Sequence, residues 1–257
     1  MTRALRALSL AVACLFTCLP PAAATTPEAA PSSSCGWGYT GPTAPNEWWR
    51  ICYPSNFLCA MGPRQSPIDL QTAKAVVRAP LPPLRFLYET RPATVVNNGH
   101  AVQAAFGNGP SLALEAAGQR FELLELHFHT PSEHLVNGQA APMEVHLVHA
   151  GPAGTLAVVG VLVREGAANP VLQSIWDAIG KGPIPLDAAS LLPAGRRGYS
   201  YAGSLTTPPC TEGVSWYVLQ EGIELSGKQL QDFRSLFPEG NARPVQPLNG
   251  RPVVGVN

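Results

Sequence analysis

Histidines are few in this chain and unevenly placed. Of six in 257 residues, five fall within a span of twenty-three positions: His127, His129, His134, His146 and His149. The two segments that carry them read LHFHTPSEH and MEVHLVHA. Imidazole nitrogens serve as general bases, as proton carriers and as ligands for transition metals. The clustering therefore indicates that some of these histidines act together.

The first segment alternates apolar and polar residues, which predicts a β-strand. Side chains two positions apart on a strand share a face, so one face of LLELHFH carries Glu125, His127 and His129. The opposite face is predicted to pack into the core and carries Leu124, Leu126 and Phe128. A carboxylate followed by two imidazoles on one face is a pattern that suits metal binding.

The second segment repeats the arrangement. In MEVHLVH, Glu144 and His146 share a face, whereas His149 lies on the other one and is predicted to be a buried, hydrogen-bonded histidine. A metal-bound histidine usually donates its other N–H to a carboxylate or carbonyl. Glu125 is therefore predicted to orient His127, and Glu144 to orient His146.

Three neutral imidazole nitrogens suit Zn²⁺, and three protein ligands leave a fourth position for water, as a catalytic zinc site requires. The other interpretation of His127 and His129 is an ordinary hydrogen-bonded pair, and the residues by themselves leave both interpretations open. His134 lies in the turn beyond the strand, and its role is left structural or unresolved.

The overall composition argues against some classes of function. Lysine plus arginine and aspartate plus glutamate balance at 17 each, so nothing in the net charge indicates a nucleic-acid or acidic-membrane partner. Only 13% of the residues are charged, while proline (27) and glycine (24) are abundant. This composition favours a loop-rich fold containing β-structure over a helical bundle.

The N-terminus predicts export. Two arginines precede an apolar run and a group of small residues, which is the pattern of a secretory signal peptide over residues 1–24. The apolar run is too short to form a stable membrane span, so a secreted or periplasmic protein is expected. A lipid anchor on Cys14 or Cys18 is the weaker alternative, because the residues before each cysteine fit poorly.

Export changes how the cysteines are interpreted. After cleavage the chain keeps Cys35, Cys52, Cys59 and Cys210. An even number in an oxidising compartment predicts two disulfides with three connectivities open, and four buried free thiols are the alternative. Residues 25–34 are small, polar and Pro/Ser-rich and predict a disordered leader. The remainder, 35–257, is predicted to be one domain.

Short β-like segments dominate this domain, at 93–106, 120–129, 143–150, 156–163 and 214–220. Two helices are predicted, one capped by Asn169 and ended by Gly180, the other following Ser226. Few connections look like helical crossovers. The sequence therefore predicts a mixed, mainly β fold, a single domain with a large central twisted, mostly antiparallel sheet and peripheral short helices.

Seven motifs occur in the order found in one known family: WGY, QSPIDL, NNGHA, HFHTPSEH, MEVHLVH, YAGSLTTPPCTEGVSW and NARPVQPLNGR. From about residue 35 to 251 the chain resembles the α-class carbonic anhydrases, especially the secreted bacterial members. The resemblance implies the α-carbonic anhydrase fold and a catalytic domain over 35–257. It also implies reversible hydration of carbon dioxide to bicarbonate and a proton, weak ester hydrolysis as a side activity, and compatibility with a homodimer.

By the same resemblance, His127, His129 and His146 bind catalytic Zn²⁺, and zinc-bound hydroxide attacks the carbon of CO₂. Thr206 matches the threonine that orients this hydroxide. Glu133 matches the acceptor of the threonine proton, so the glutamate of PSEH is expected to orient the nucleophile and not to bind the metal.

Other roles follow from the resemblance alone. His100 matches the residue that exports the proton to solvent. The residues implied to surround CO₂ are Val148, Val158, Leu205, Thr207 and Trp216. The residues implied to lie behind the metal ligands are Glu125, Glu144 and Asn241. Glu125 stands where the family commonly has glutamine, and an ionised carboxylate there would make His127 a stronger donor to zinc.

The resemblance also bears on the cysteines and on competing functions. Cys59 and Cys210 match the disulfide of the secreted members, which leaves Cys35 and Cys52 to pair with each other. A catalytically silent binding protein on the same fold is one alternative, but such relatives lose a zinc histidine and this chain keeps all three. Other zinc hydrolases need His-x-His-x-Asp-His or His-Glu-x-x-His, and both motifs are absent.

Overall fold

The computed structural model of the protein describes residues 35–74, 76–107 and 112–256. The predicted signal peptide (1–24) and leader (25–34) lie outside these residues, and both stay predictions. The described residues form one compact unit. The boundary at residue 35 is likewise a prediction from composition and from the motifs.

Strands dominate the described residues. They are β1 (Asp69–Leu70), β2 (Val76–Leu81), β3 (Arg85–Leu87), β4 (Arg91–Asn97), β5 (Val102–Phe106), β6 (Ala113–Ala116), β7 (Gln119–His129), β8 (Leu135–Val136), β9 (Gln139–Ala140), β10 (Met143–Ala150), β11 (Leu156–Glu165), β12 (Pro183–Leu186), β13 (Gly198–Ser204), β14 (Glu212–Leu219), β15 (Ile223–Leu225) and β16 (Val254–Val256).

The helices are short and lie between strands. They are α1 (Leu58–Met61), α2 (Pro170–Asp177) and α3 (Gly227–Leu236), with 3₁₀ turns at Gly41–Thr43, Thr72–Lys74, Pro152–Gly154 and Ala188–Leu191. Within the described residues, no helix has the length and apolar character needed to cross a bilayer.

Both predicted helices are present, and their caps explain where they start. The side chain of Asn169 accepts hydrogen bonds from the N–H groups of Val171 (3.0 Å) and Leu172 (3.1 Å), which otherwise have no partner inside the helix. Ser226 and Gln229 form a reciprocal capping box at the start of α3. Helix α2 ends at Asp177, before the predicted stop at Gly180.

One large sheet organises the fold. Its strands follow the order β12-β4-β5-β7-β10-β11-β14-β13-β16-β2, with β3, β6 and β15 joined at the side. Most neighbouring pairs are antiparallel, and the parallel exceptions are β11 with β14 and β15, and β16 with β2. A small sheet of β1, β8 and β9 accompanies it. The prediction of a mainly β fold with a mostly antiparallel central sheet is confirmed.

Helices α2 and α3 cover one face of the central strands. Phe128 of β7 meets Trp176 and Phe233 with ring centroids 4.8 and 6.0 Å apart. Leu126 and Phe128 are fully buried in this core. Because neighbouring side chains on a strand point to opposite faces, this packing directs His127 and His129 to the other face of the sheet.

Two local predictions are wrong, and the backbone shows why. Leu124 was expected in the core, but it is 45% exposed while Leu123 is 6% exposed. The pairing of β7 with β10 shifts so that Val148 lies opposite Glu125 and His149 opposite Leu123. Leu124 is thus the extra residue of a β-bulge, which reverses the alternation on its N-terminal side.

The segment 93–106 is two strands and not one. Strands β4 and β5 pair as an antiparallel hairpin, and the turn between them contains Asn98 and Gly99. The side chain of Asn98 accepts hydrogen bonds from the N–H groups of His100 and Ala101, both at 2.9 Å. Gly99 has a φ of +86°, which glycine adopts without steric cost. The hairpin brings His100 to the rim of the sheet.

Candidate metal centre

The register between β7 and β10 brings the metal-ligand candidates together. His127 lies directly opposite His146, and His129 directly opposite Glu144. Facing positions on antiparallel strands have side chains about 5 Å apart. One nitrogen from each of His127, His129 and His146 lies within 4.8 Å of the others. The structure therefore gathers the three predicted ligands at one point.

The hydrogen-bond partners of these three rings fix which nitrogen carries the proton. His127 Nδ1 lies 2.9 Å from a Glu125 carboxylate oxygen, and His146 Nε2 lies 3.0 Å from Glu144 Oε1. An ionised carboxylate can accept hydrogen bonds but cannot donate them. The ring nitrogen that faces it therefore carries the hydrogen. The other nitrogen of each ring is then an unprotonated lone pair.

His129 also donates a hydrogen bond from one ring nitrogen, but its acceptor is a neutral group. Its Nδ1 donates to the backbone carbonyl of Asn241 at 2.7 Å. Its Nε2 is buried and has no hydrogen-bond partner in the described part of the protein. The resemblance implied a role for Asn241 behind the ligands, and here the backbone carbonyl makes the contact. The Asn241 side chain instead fixes the backbone at Phe128 and Thr130.

Three converging lone pairs with no donor between them fit a divalent cation. His146 Nδ1 lies 3.3 Å from His127 Nε2. Two zinc–nitrogen bonds of about 2.05 Å at a tetrahedral angle place their nitrogens about 3.3 Å apart. A set of three imidazoles suits Zn²⁺. The residues present therefore fit the metal that the sequence predicts.

The pKa values of two of the three ligand rings agree with this arrangement. Burial lowers the pKa of His146 to about 4. Burial, together with the neighbouring histidines His146 and His127, lowers the pKa of His129 well below its ordinary value. Burial also opposes protonation of His127, but the carboxylates of Glu125, Glu133 and Glu144 together outweigh it and raise that pKa. His129 and His146 are thus neutral at neutral pH, as metal ligands must be.

Glu144 is the centre of a buried hydrogen-bond network. Its two oxygens accept from the backbone N–H groups of Glu133 (2.9 Å) and His134 (2.8 Å), from His134 Nδ1 (2.7 Å) and from His146 Nε2 (3.0 Å). Burial alone would raise the pKa of Glu144, but the histidines and these hydrogen bonds hold it well below its usual range. His134 Nε2 continues the network to the hydroxyl of Tyr201 at 2.7 Å.

This network gives His134 the role that the sequence left open. His134, Glu144 and His146 also lie close enough together to hold an ion. Four donors already occupy the Glu144 carboxylate, and both His134 nitrogens have partners. The group is therefore explained as a network that orients His146 and the turn at residues 131–134.

Glu133 and Thr206 lie beside the ligand rings. Glu133 Oε1 accepts from the N–H of Arg243 at 2.8 Å. Its Oε2 is 3.6 Å from His129 Nε2 and 3.9 Å from His146 Nδ1. Burial raises the pKa of Glu133 to about 8, with the Arg243 N–H and the neighbouring Thr206 side chain pulling in the opposite direction. The structure thus brings Thr206, Glu133 and the histidines into one buried group.

Four of the residues implied to surround CO₂ form one apolar wall. Val148 of β10 lies opposite Val158 of β11, which in turn lies opposite Trp216 of β14. Leu205, just after β13, packs in the same apolar cluster. The Trp216 ring lies 4.8 Å from the His146 ring between centroids. This row extends from the histidine centre across three adjacent strands.

A cleft of about 220 Å³ adjoins the ligands. It is bounded by His127 and His129 at its base and by Thr207 and His100. The ring of His100 stacks on Trp37, with centroids 3.7 Å apart and planes 11° from parallel. Partial burial lowers the pKa of His100 below its ordinary value. His100 therefore shares one cleft with two of the ligand rings.

Arg243 and Ser66 are residues that the sequence reasoning missed. The guanidinium of Arg243 donates to Gln65 Oε1 (2.9 Å), to the Ser66 carbonyl (2.7 Å) and to the Cys59 carbonyl (2.8 Å). The Ser66 hydroxyl meets the Tyr201 hydroxyl at 2.9 Å. Both residues belong to motifs already quoted, QSPIDL and NARPVQPLNGR, and the arginine two positions after Asn241 was the available signal.

Both predicted disulfides are present. Cys59 joins Cys210 with Cα atoms 5.0 Å apart, and Cys35 joins Cys52 with Cα atoms 5.9 Å apart. The N–H of Cys210 donates to the carbonyl of Thr207 at 2.8 Å. The first disulfide thus ties the segment before QSPIDL to the loop that carries Thr206 and Thr207.

Comparison with known proteins agrees with this architecture. The family model described as eukaryotic-type carbonic anhydrase matches residues 43–256. A carbonic anhydrase of Nostoc sp. is 43% identical over 87% of this chain and 87% of its own length. One of Pectobacterium atrosepticum is 37% identical over 88% of this chain and 93% of its own.

Solved structures show the same relationship. The α-carbonic anhydrase of Thermovibrio ammonificans, in complex with the inhibitor sulfanilamide, superposes with a TM-score of 0.81 at 41% identity. The match covers 86% of this chain and 99% of that one. Fold and site together define a mainly β enzyme built around a cluster of three histidines. The chain belongs to the α-class, or eukaryotic-type, carbonic anhydrase family, whose general reaction is the hydration of carbon dioxide.

Proposed function

We propose that this protein catalyses the zinc-dependent, reversible hydration of carbon dioxide to bicarbonate and a proton. His127, His129 and His146 would hold the Zn²⁺. The observation that carries the proposal is the convergence of three imidazole lone pairs, each backed by an acceptor on the other ring nitrogen. When bound, zinc in carbonic anhydrases brings the pKa of a coordinated water to about neutrality and so supplies the nucleophile.

Thr206 and Glu133 are proposed to orient that nucleophile. A hydroxyl group accepts a hydrogen bond in a defined direction only if its own proton is held elsewhere. Glu133 supports this role because its buried Oε2 has no hydrogen-bond partner in the described part of the protein and can accept the Thr206 proton. Arg243 keeps the carboxyl in place through its backbone N–H.

The apolar row of Val148, Val158 and Trp216, with Leu205 beside it, is proposed to receive carbon dioxide. The substrate has no net charge and little hydrogen-bonding capacity, so an apolar wall accepts it without leaving polar groups unpaired. Thr207 is proposed to contact the substrate from the opposite side. The proximity of Trp216 to His146 supports attack on CO₂ next to the ligands.

His100 is proposed to carry the released proton to solvent. An unperturbed imidazole changes its charge near neutral pH. Partial burial lowers the pKa of His100, which keeps the ring neutral and able to accept a proton. Its place at the cleft that reaches His127 and His129 supports this role.

We also propose that the protein is exported to the periplasm or secreted. Two disulfides joining four cysteines support this, because such bonds persist in oxidising compartments. The signal peptide over 1–24 stays a prediction that N-terminal sequencing of the exported protein tests. The homodimer likewise stays a prediction, for which light scattering of the purified protein is the test.

Stopped-flow measurement of CO₂ hydration tests the proposed activity directly. The purified protein is assayed as isolated, after removal of metal with a chelator, and after addition of one equivalent of Zn²⁺. Activity should fall to the uncatalysed rate on removal and return on addition, with about one zinc per chain by elemental analysis. Full activity in a preparation without stoichiometric metal would contradict the proposal. Hydrolysis of an activated ester, assayed in parallel, should follow zinc content in the same way.

A further inference from the structure

One face of the His100 ring is covered by the indole of Trp37. The two rings stack with centroids 3.7 Å apart and planes 11° from parallel, and both residues line the cleft that reaches the metal-ligand candidates. Stacked aromatic rings attract each other and exclude one another's volume. The groups that hold Trp37 therefore also limit the positions that the His100 ring can take.

Trp37 belongs to a segment that the sheets do not hold. Within the described residues, positions 35–47 contribute no strand to either sheet. On the C-terminal side of Trp37, the indole Nε1 of Trp48 donates a hydrogen bond to the carbonyl of Gly38 at 2.7 Å. On the N-terminal side, the N–H of Trp37 donates to the carbonyl of Cys35 at 2.8 Å. The position of Trp37 thus depends on how Cys35 itself is held.

The Cys35–Cys52 disulfide attaches this end of the segment to a fixed turn. Asn56, which is 4% exposed, stabilises the turn around Cys52. Its side-chain Nδ2 donates to the carbonyl of Ile51 at 2.6 Å, and its backbone N–H donates to the carbonyl of Cys52 at 3.4 Å. A covalent bond therefore joins the segment that carries Trp37 to a part of the chain that is already ordered.

We propose that the Cys35–Cys52 disulfide fixes Trp37 against His100 and thereby speeds the export of the proton through the cleft. The inference rests on the proposed function, in which His100 carries the proton to solvent. Cys35, Cys52 and Trp37 are positioning residues that act through His100. Without the disulfide Trp37 keeps only the attachment through Trp48, and the imidazole then spends less time in the orientation that transfers the proton.

Proton NMR measures the stacking without relying on catalysis. A proton above the face of an indole is shielded by its ring current, so the ring protons of His100 should resonate upfield of their positions in Trp37→Ala. In the double variant Cys35→Ser/Cys52→Ser these resonances should move toward the positions found in Trp37→Ala. The resonances that disappear in His100→Ala provide the assignment. Thermal unfolding verifies that each variant is folded at the temperature of the measurement.

Stopped-flow hydration of CO₂ in weak buffer measures the consequence for turnover. Cys35→Ser/Cys52→Ser and Trp37→Ala are each expected to lower kcat at least about threefold, since small misplacements of a reacting group slow its step. The ratio kcat/KM should stay unchanged, and added imidazole should restore kcat. Trp37→Phe keeps an aromatic ring at this position and should retain most of kcat.

A triple variant and a matched control separate this effect from a general loss of structure. Cys35→Ser/Cys52→Ser/Trp37→Ala should be no slower than Trp37→Ala alone, because the disulfide acts through Trp37 and the two losses are not additive. Trp49→Ala is the control. Trp49 packs in the same aromatic cluster but does not line the cleft, so this variant should match the wild type.

Three results would count against the inference. An unchanged kcat, or unchanged His100 resonances, in the disulfide variant would overturn it while leaving the proposed function intact, provided that His100→Ala is slow. A parallel loss of kcat/KM would also overturn it, because the loss would then not be specific to proton export. Undiminished turnover of His100→Ala in weak buffer would instead refute the proposed role of His100, and the inference with it.

Discussion

His127 and His146 face each other across β7 and β10, with Nε2 of the first 3.3 Å from Nδ1 of the second. The two rings use different nitrogens to reach the same point. The choice follows from their partners, since Glu125 engages Nδ1 of His127 and Glu144 engages Nε2 of His146. A shift of one residue in this register would move every side chain of one strand to the opposite face of the sheet. The arrangement of the metal-ligand candidates therefore depends on the strand pairing.

Removing the His100 imidazole should slow turnover without affecting attack on CO₂. We expect His100→Ala to lower kcat at least about tenfold in weak buffer, because a proton-transfer step loses its acceptor, while kcat/KM changes little. Added imidazole should restore part of kcat. Stopped-flow hydration with and without imidazole checks this, and undiminished turnover in weak buffer would contradict the assignment of His100.

Enlarging Val148 should block the proposed substrate wall. Val148→Phe adds volume beside Val158 and is expected to lower kcat/KM for CO₂ roughly a hundredfold, the scale of loss for a misplacement of about 1 Å. Zinc content should stay unchanged because the Val148 side chain is apolar and holds none of the three metal-ligand candidates in place by a hydrogen bond. Val148→Ala is the control and should retain most activity. A fully active Val148→Phe enzyme would show that CO₂ does not bind at this wall.

The two disulfides should contribute unequally to stability. Cys59–Cys210 spans 151 positions and Cys35–Cys52 spans 17. On the chain-entropy estimate their removal costs about 5 and about 3 kcal/mol respectively, because the longer crosslink restricts the unfolded chain more. Urea unfolding of the two double Cys→Ala variants measures the difference. An equal loss from both would indicate that unfolded-chain entropy does not control the effect.

His149 should make stability depend on pH between about 6.5 and 4. Burial lowers its pKa from 6.5 to about 4, so in this range the unfolded chain binds the proton more readily than the folded one. The free energy of unfolding therefore falls as the pH falls. At pH 4.5 the loss from this group is on the order of 2–3 kcal/mol.

A variant that cannot titrate isolates this contribution. Urea unfolding of the zinc-loaded wild type and of His149→Gln gives the free energy of unfolding of each protein at pH 7.5 and 4.5. Between these pH values the wild type should lose more of this free energy than the variant, by the amount stated above. Effects of pH on zinc binding are common to both proteins. Identical pH dependence in the two would show that His149 does not remain neutral in the folded state.

Local sequence patterns succeeded where the structure is regular. The alternation in MEVHLVHA matches β10, and Asn169 and Ser226 cap the helices they were expected to cap. The same reasoning failed at Leu124, because a bulge depends on how the partner strand pairs and leaves no distinct trace in composition. It also merged β4 and β5, since the alternation runs through a turn whose Asn-Gly pair was the only signal.

Outside the bulge at Leu124, the sequence by itself determined which residues share a strand face, and it determined the cap positions and, through its motifs, the family. Tertiary structure decided the rest. The carbonyl of Asn241 meets His129 across 112 positions, and the N–H of Arg243 meets Glu133 across 110. Such contacts form only when the sheet and the disulfide-linked loops close around the site. Periodicity in the sequence depends on only a few neighbouring residues. The hydrogen-bond partners that decide which nitrogen of each histidine is protonated come from segments that are distant in the sequence and meet only when the protein packs.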